Sequence, residues 1–155
     1  MGERLTVYTI GHGSRSREAF LNLLKKHAIQ VLVDVRRWPT SKTEHFKLDY
    51  LKEWLPKAGI EYIWLGDHLG GYRKGGYRSY TESEAFKEGL KSLVELAKKS
   101  RVCIMCLEVS PSGCHRRFIA EKLLETGCDV VHIISEKKCI KVGDTSQSNL
   151  DYIKI

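Results

Sequence analysis

The spacing of apolar residues changes period repeatedly along this chain. "LTVYTI" (5–10), "QVLVDV" (30–35), "EYIWL" (61–65), "VCIMCLE" (102–108) and "DVVHII" (129–134) are short apolar runs rich in β-branched residues, the pattern of strands. The second run is apolar enough to be covered on both faces. Between the runs the period becomes helical. Phe20, Leu23, Leu24 and Ala28 follow Ser16, an expected N-cap with Glu18 in the first turn. Leu48, Leu51, Trp54 and Leu55 mark a second helix, with Pro56 and Gly59 at its end. Phe86, Leu90, Leu93, Val94 and Ala97 mark a third, opened by a capping box of Thr81 and Glu84. A fourth follows "SPSGCHRR" and closes at Gly127.

Strands alternating with helices predict an α/β fold. The expectation is a single domain, a mostly parallel open sheet of about five strands with helices on both faces and right-handed crossovers. Five strands are too few for an eight-fold barrel. Residues 1–135 read as the α/β domain. Residues 136–155 are polar, carry no clear period, and read as a C-terminal extension of the same domain.

Composition narrows the partners. A chain of 155 residues suits one domain with one core. No apolar run approaches the roughly 20 residues that span a bilayer. The opening "MGERLTVYTIGHG" lacks a secretory pattern, so a cytoplasmic protein without a membrane partner is expected. The net charge of +7 favours anionic partners, such as nucleotides, nucleic acid or phosphorylated metabolites. Of the five cysteines, Cys103 sits in an apolar strand and reads as core. No CxxC pair occurs, and the Cys-x7-Cys-His spacing of Cys106, Cys114 and His115 matches no structural zinc pattern. No metal and no cofactor are expected.

Topology gathers the candidate chemistry. Ligands of open parallel sheets bind outside the carboxyl ends of the strands. The residues there are His12 and Ser14 after the first strand, and Asp34, Arg36 and Arg37 around the end of the second. Asp67, His68 and Arg73 follow the third, and Glu108, Cys114, His115 and Arg116 follow the fourth. Glu108 and His115 are candidates to move a proton, with His12 orienting or sharing that role and Cys114 as a possible nucleophile. Arg36, Arg73 and Arg116, with Ser14 and Tyr72, are candidates to hold an anion. Residues 114–116 would open a helix, whose free N–H groups also favour an anion, so the corner at 113–116 is expected to bind one. Glu108 is expected to pair with an arginine, Arg36 being one choice, or to carry a raised pKa. His132, in an apolar run, reads as a core histidine. The loop "LGGYRKGGYRSY" interleaves tyrosines with basic residues, and reads either as a mobile lid or as a loop whose tyrosines pack on its base.

"YTIGHGSRSREAF", "VDVRRWPTSK", "LGGYR" and "CLEVSPSGCHRRFIAEKL" together resemble a prokaryotic family of unknown function, DUF488, over roughly residues 6 to 134. Gly13 stands where that family carries serine, with Ser14 directly after it. The resemblance implies a compact α/β fold and shared motif positions at Gly11, His12, Asp34, Arg36, Pro39, Gly70, Gly71, Arg73, Cys106, Glu108, Cys114, His115 and Arg116. It implies no reaction.

Three functions are open at this point. One is an enzyme acting on a phosphate-bearing substrate, a nucleotide or nucleic acid, by phosphoryl or glycosyl transfer or hydrolysis. Another is a non-catalytic module binding nucleotide or nucleic acid through the basic loops 36–47 and 72–80, with Trp38 and Phe46. A third is a thiol or metal site at Cys106 and Cys114.

Overall fold

A computed structural model describes residues 5–71, 73–111 and 115–142. Six strands form one sheet in the order β3-β2-β4-β1-β5-β6. They are β1 (Thr6–Gly11), β2 (Val31–Asp34), β3 (Glu61–Trp64), β4 (Val102–Cys106), β5 (Asp129–Ser135) and β6 (Lys138–Val142). The first five pair in parallel, and β6 pairs antiparallel with β5. The α/β architecture thus agrees with the sequence pattern, with one strand more than expected. β6 falls in the stretch read as a polar extension.

Period-2 alternation divides the strand side chains between two apolar layers. Val31, Val33, Val102, Ile104 and Cys106 face one side, under α3 (Gly66–Leu69), α5 (Glu84–Lys99) and α6 (Arg116–Glu125). Leu32, Cys103 and Met105 face the other, under α1 (Arg17–Lys26) and α2 (Leu48–Lys57). Every residue of β2 and β4 is buried, as double coverage requires.

Two glycines set the spacing at the carboxyl edge. A Cβ on Gly11, at the end of β1, would stand 1.7 Å from the Glu108 carbonyl oxygen. One on Gly66, at the start of α3, would stand 1.9 Å from the Arg36 carbonyl oxygen. Loops leaving neighbouring strands can pass this closely only where no side chain intervenes.

Local details differ from expectation at the cap of α5 and decide between the two readings of the loop after β3. Ser16 caps α1 through the Ala19 N–H, as predicted. The cap of α5 is Ser83, bonded to the Phe86 N–H, while the Thr81 hydroxyl donates to the Arg78 carbonyl. The loop after β3 is built rather than open. It contains α3 and α4 (Tyr77–Tyr80), and the hydroxyls of Tyr77 and Tyr80 donate to the Leu69 and His68 carbonyls, each at 2.7 Å. Both rings pack around Phe86, so this loop is anchored on its base.

Candidate functional site

β2 and β4 are neighbours whose onward connections diverge. The chain leaves β2 outward to the edge strand β3, and leaves β4 across β1 to β5. Such a divergence opens a crevice at the carboxyl ends of the two strands. The loops carrying Arg36 and His115 meet there, and the His115 Nε2 donates to the Val35 carbonyl at 3.0 Å.

Arg36 leads the first loop, almost wholly buried. A buried guanidinium must be paired, and Asp34, two residues back on β2, supplies the partner. Asp34 Oδ1 accepts from the Arg36 backbone N–H (3.0 Å) and Nε (2.8 Å), and Oδ2 accepts from Nη2 (2.7 Å). Oδ2 also accepts from the Tyr62 hydroxyl at 2.6 Å, which ties β3 into the cluster. Burial, then the Asp34 charge, pushes the Tyr62 pKa up. Arg36 Nη1 donates to the Thr40 carbonyl (3.0 Å) and meets His12 Nε2 at 3.3 Å. The Arg36 guanidinium also bonds the Tyr62 side chain, so Asp34, Arg36 and Tyr62 form one closed cluster.

His12 is fully buried and stacked on Phe46, with 4.6 Å between ring centres. Its Nδ1 lies 2.9 Å from the Gly13 carbonyl, which can only accept. Nδ1 therefore carries the proton, and Nε2 offers its lone pair to Arg36. Burial lowers the His12 pKa to about 4, against the raising effect of the Gly13 bond, and the Arg36 charge lowers it further. His115 has the opposite tautomer, because Nε2 is the atom facing a carbonyl. It is half-buried, beside the Tyr77 ring at 5.1 Å, and a Cβ on Gly71 would lie 3.2 Å from its Nδ1. Burial again lowers its pKa to about 4, the Val35 bond opposes, and the Arg116 and Arg73 charges add to the lowering. At neutral pH both rings are uncharged.

Arg73 stands close enough for its charge to act on His115. Its Nε donates to the Gly70 carbonyl (2.8 Å), and Nη2 donates to those of Gly66 (3.2 Å) and Asp67 (2.6 Å). The guanidinium lies 4.1 Å from the centre of the Tyr80 ring. Carbonyls of α3 and the residue after it thus fix its plane, and the Nη1 amino group stays outside these bonds.

Arg116 departs from the expected role. It starts α6, yet its side chain turns into the fold and is fully buried. Nη1 donates to the Thr9 hydroxyl (2.9 Å), and Nη2 to the Glu108 (2.5 Å) and Val109 (3.1 Å) carbonyls. The Thr9 hydroxyl accepts that bond and turns its own hydrogen to His132 Nδ1 at 2.7 Å. Burial, then the Arg116 charge, lowers the His132 pKa to about 3, so this ring is a neutral core group. Arg116 therefore braces the turn after β4 through its two amino groups, Nη1 and Nη2, both bonded to oxygen atoms of the chain. Glu108 lends its carbonyl to that brace while the residue is exposed, and the carboxylate that holds Arg36 is Asp34 instead.

Among the remaining candidates, Ser14 is exposed beyond β1. Tyr72 and Cys114 lie outside the described residues. Cys106 is buried, and Cys103, Cys128 and Cys139 are free thiols. Among the described residues no three His, Cys, Asp or Glu side chains gather as a metal site would need, and no helix is long and apolar enough to cross a membrane. His12, Arg36 and His115 converge on residues 35 and 36, with Arg73 beside them. Tyr62 and Thr9 join these networks as strand residues with no local sign of a polar partner. A lone acid inside the apolar run of β2 was the visible sign that Asp34 has a buried partner.

The family model described as Domain of unknown function DUF488 matches residues 16–123. The chain belongs to this family. The DUF488 match spans Arg36, Arg73, Glu108, His115 and Arg116 and begins after His12. No curated protein and no solved structure matches the chain.

Proposed function

We propose that this crevice binds a phosphate-bearing ligand of the nucleotide or nucleic-acid class. The observation that carries the reading is Arg73. Its guanidinium is held in plane by three carbonyl oxygens, its Nη1 amino group is left over, and its charge reaches the neutral His115. An oriented guanidinium whose Nη1 amino group is left over suits a single phosphate oxygen, as a charge-assisted donor rather than a two-pronged fork, and little rotamer freedom is lost when it binds. The +7 charge of the chain acts in the same direction. Trp38, 59% exposed on the loop after Arg36, adds an aromatic surface of the kind bases stack on.

The test is calorimetric titration with ATP, AMP, adenosine, inorganic phosphate and an oligothymidylate. Phosphorylated ligands should bind and adenosine should not. Arg73→Ala should weaken binding by at least about tenfold, since a charge-assisted hydrogen bond contributes roughly 1.5–3 kcal/mol. Equal affinity for AMP and adenosine, in wild type and variant, would sink the reading.

Catalysis at the same place is the second reading, and His115 favours it. A tautomer fixed by the Val35 carbonyl puts the ring lone pair on Nδ1, an acceptor that would orient a reacting hydroxyl or water by a hydrogen bond. With a pKa near 4 the ring stays neutral through the physiological range. Turnover of a bound nucleotide or oligonucleotide should therefore be lost in His115→Ala while binding persists. Full turnover in that variant would remove His115 from the chemistry.

A further inference from the structure

We propose that the open edge at β3 is a self-association surface, where a second copy of the chain extends the sheet. β3 ends the strand order, and its backbone faces β2 through Glu61, whose N–H donates to Gln30, and Leu65, whose N–H donates to Asp34. Parallel strands alternate the sides on which their backbone groups point. Tyr62 and Trp64 thus direct their backbone N–H and C=O groups away from the sheet, a template for another strand.

The edge is accompanied by a groove of about 390 Å³ between β3 and α5. Ile63, Leu65 and Leu96 give it an apolar floor, and Lys91, Glu95 and Lys99 rim it. A strand added outside β3 would send alternate side chains into this groove. The occupant must fill an apolar floor and match a rim of alternating charge, and a second copy does both. Closed dimers use one patch twice, so the patch must complement itself under a two-fold rotation. Antiparallel pairing of β3 with its copy sets Tyr62 against Trp64 in both hydrogen-bonded pairs, and brings Ile63 opposite Ile63 on the groove side. The middle of the rim also complements itself. Lys91, Glu95 and Lys99 recur every four residues on one face of α5, and a reversed copy displaced by one turn places Lys91 against Glu95 and Glu95 against Lys91, with Glu95 shared with Lys98 of its own helix at 3.0 Å and Lys99 left facing Lys87 at the ends. The surface is remote from Arg73 and His115 in role, so it stands or falls independently of the ligand reading.

Sedimentation velocity of the full chain tests this over micromolar to submillimolar concentrations. Wild type should sediment at twice the chain mass. Ile63→Lys should sediment as a monomer. Glu95→Lys, an exposed change that leaves the fold intact, should raise the dimer dissociation constant by about tenfold or more by facing lysine with lysine. Adding Lys91→Glu should restore dimerisation. Hydrogen exchange at the Tyr62 and Trp64 amides should slow as wild-type concentration rises. A wild-type monomer across the whole range overturns the proposal and leaves the groove to another partner. So does a dimer indifferent to Glu95→Lys, with unprotected Tyr62 and Trp64 amides.

Discussion

The corner after β2 and the corner after β4 each bury an arginine, and they neutralise it in different ways. Arg36 meets a full carboxylate, Asp34, two residues back on its own strand. Arg116 meets dipoles: the Thr9 hydroxyl and the carbonyls of Glu108 and Val109. The first arrangement is a local charge pair whose loss leaves a bare ion. The second spreads a charge over several weaker acceptors, so the loss of any one leaves the others in place. The first corner can therefore be broken by one substitution, whereas the second should yield by degrees.

The largest effect should come from Asp34→Ala. Removing one member of a buried pair strands the other, at a cost of about 3–5 kcal/mol. Urea unfolding reads this directly. Asp34→Leu combined with Arg36→Met should recover most of the loss, because no charge is then left behind. A single-variant cost below about 1 kcal/mol would mean that water, not Asp34, solvates Arg36.

Next in size is a pH effect at the second corner. The His132 pKa is about 3 in the fold, below its ordinary value of 6.5. Between those values the unfolded chain binds a proton that the folded chain refuses. Stability is thus fully present above about pH 6.5 and falls as pH falls, by up to about 1.4 kcal/mol per pH unit for this one group. His12 and His115, lowered to about 4, act in the same direction. Measured from pH 7 to 5, His132→Gln should show a shallower loss than wild type. An unchanged slope would mean that His132 titrates normally in the fold.

Thr9→Val should cost roughly 1–3 kcal/mol, by leaving one Arg116 N–H without its acceptor beside a isosteric methyl group. The comparison of corners predicts that this is milder than Asp34→Ala in the same urea titration, and the reverse order would refute it. Smallest of all is Tyr62→Phe, at about 0.5–1.5 kcal/mol, since Asp34 keeps its bonds from Arg36. A loss as large as that of Asp34→Ala would make the tyrosine, not the arginine, the principal partner of the carboxylate.

Much of the fold was legible because burial imposes a period on the chain. Strands β1, β2, β3, β4 and β5 showed as apolar runs, and Ser16 showed as a cap because capping is a contact within four residues. β6 was missed for a physical reason. It is an edge strand of five residues with only Ile140 and Val142 buried, so it shows a short alternation rather than an apolar run. α3 and α4 have four residues each, too few to display a helical period. The choice between Thr81 and Ser83 as the cap of α5 was not legible either, because both stand before the same helix. The Thr81 hydroxyl is held by the Arg78 carbonyl of the preceding turn.

The sequence by itself determined that helices alternate with strands, that the strands run mainly parallel, and that basic, imidazole and carboxylate groups gather at their carboxyl ends. Periodicity and chain direction are sufficient for these, since solvent sorts side chains locally and each crossover returns the chain to the same edge. Only the tertiary structure decided where each charge goes once it arrives. Arg116 finds Thr9 from 107 residues away, and His115 finds the Val35 carbonyl from 80. A guanidinium or imidazole takes whichever acceptor the packed backbone brings within about 3 Å. Arg36, Arg73 and Arg116 look alike in the sequence, yet the fold gives the first a carboxylate, ties the second to the carbonyls of α3 and its end, and encloses the third among carbonyls.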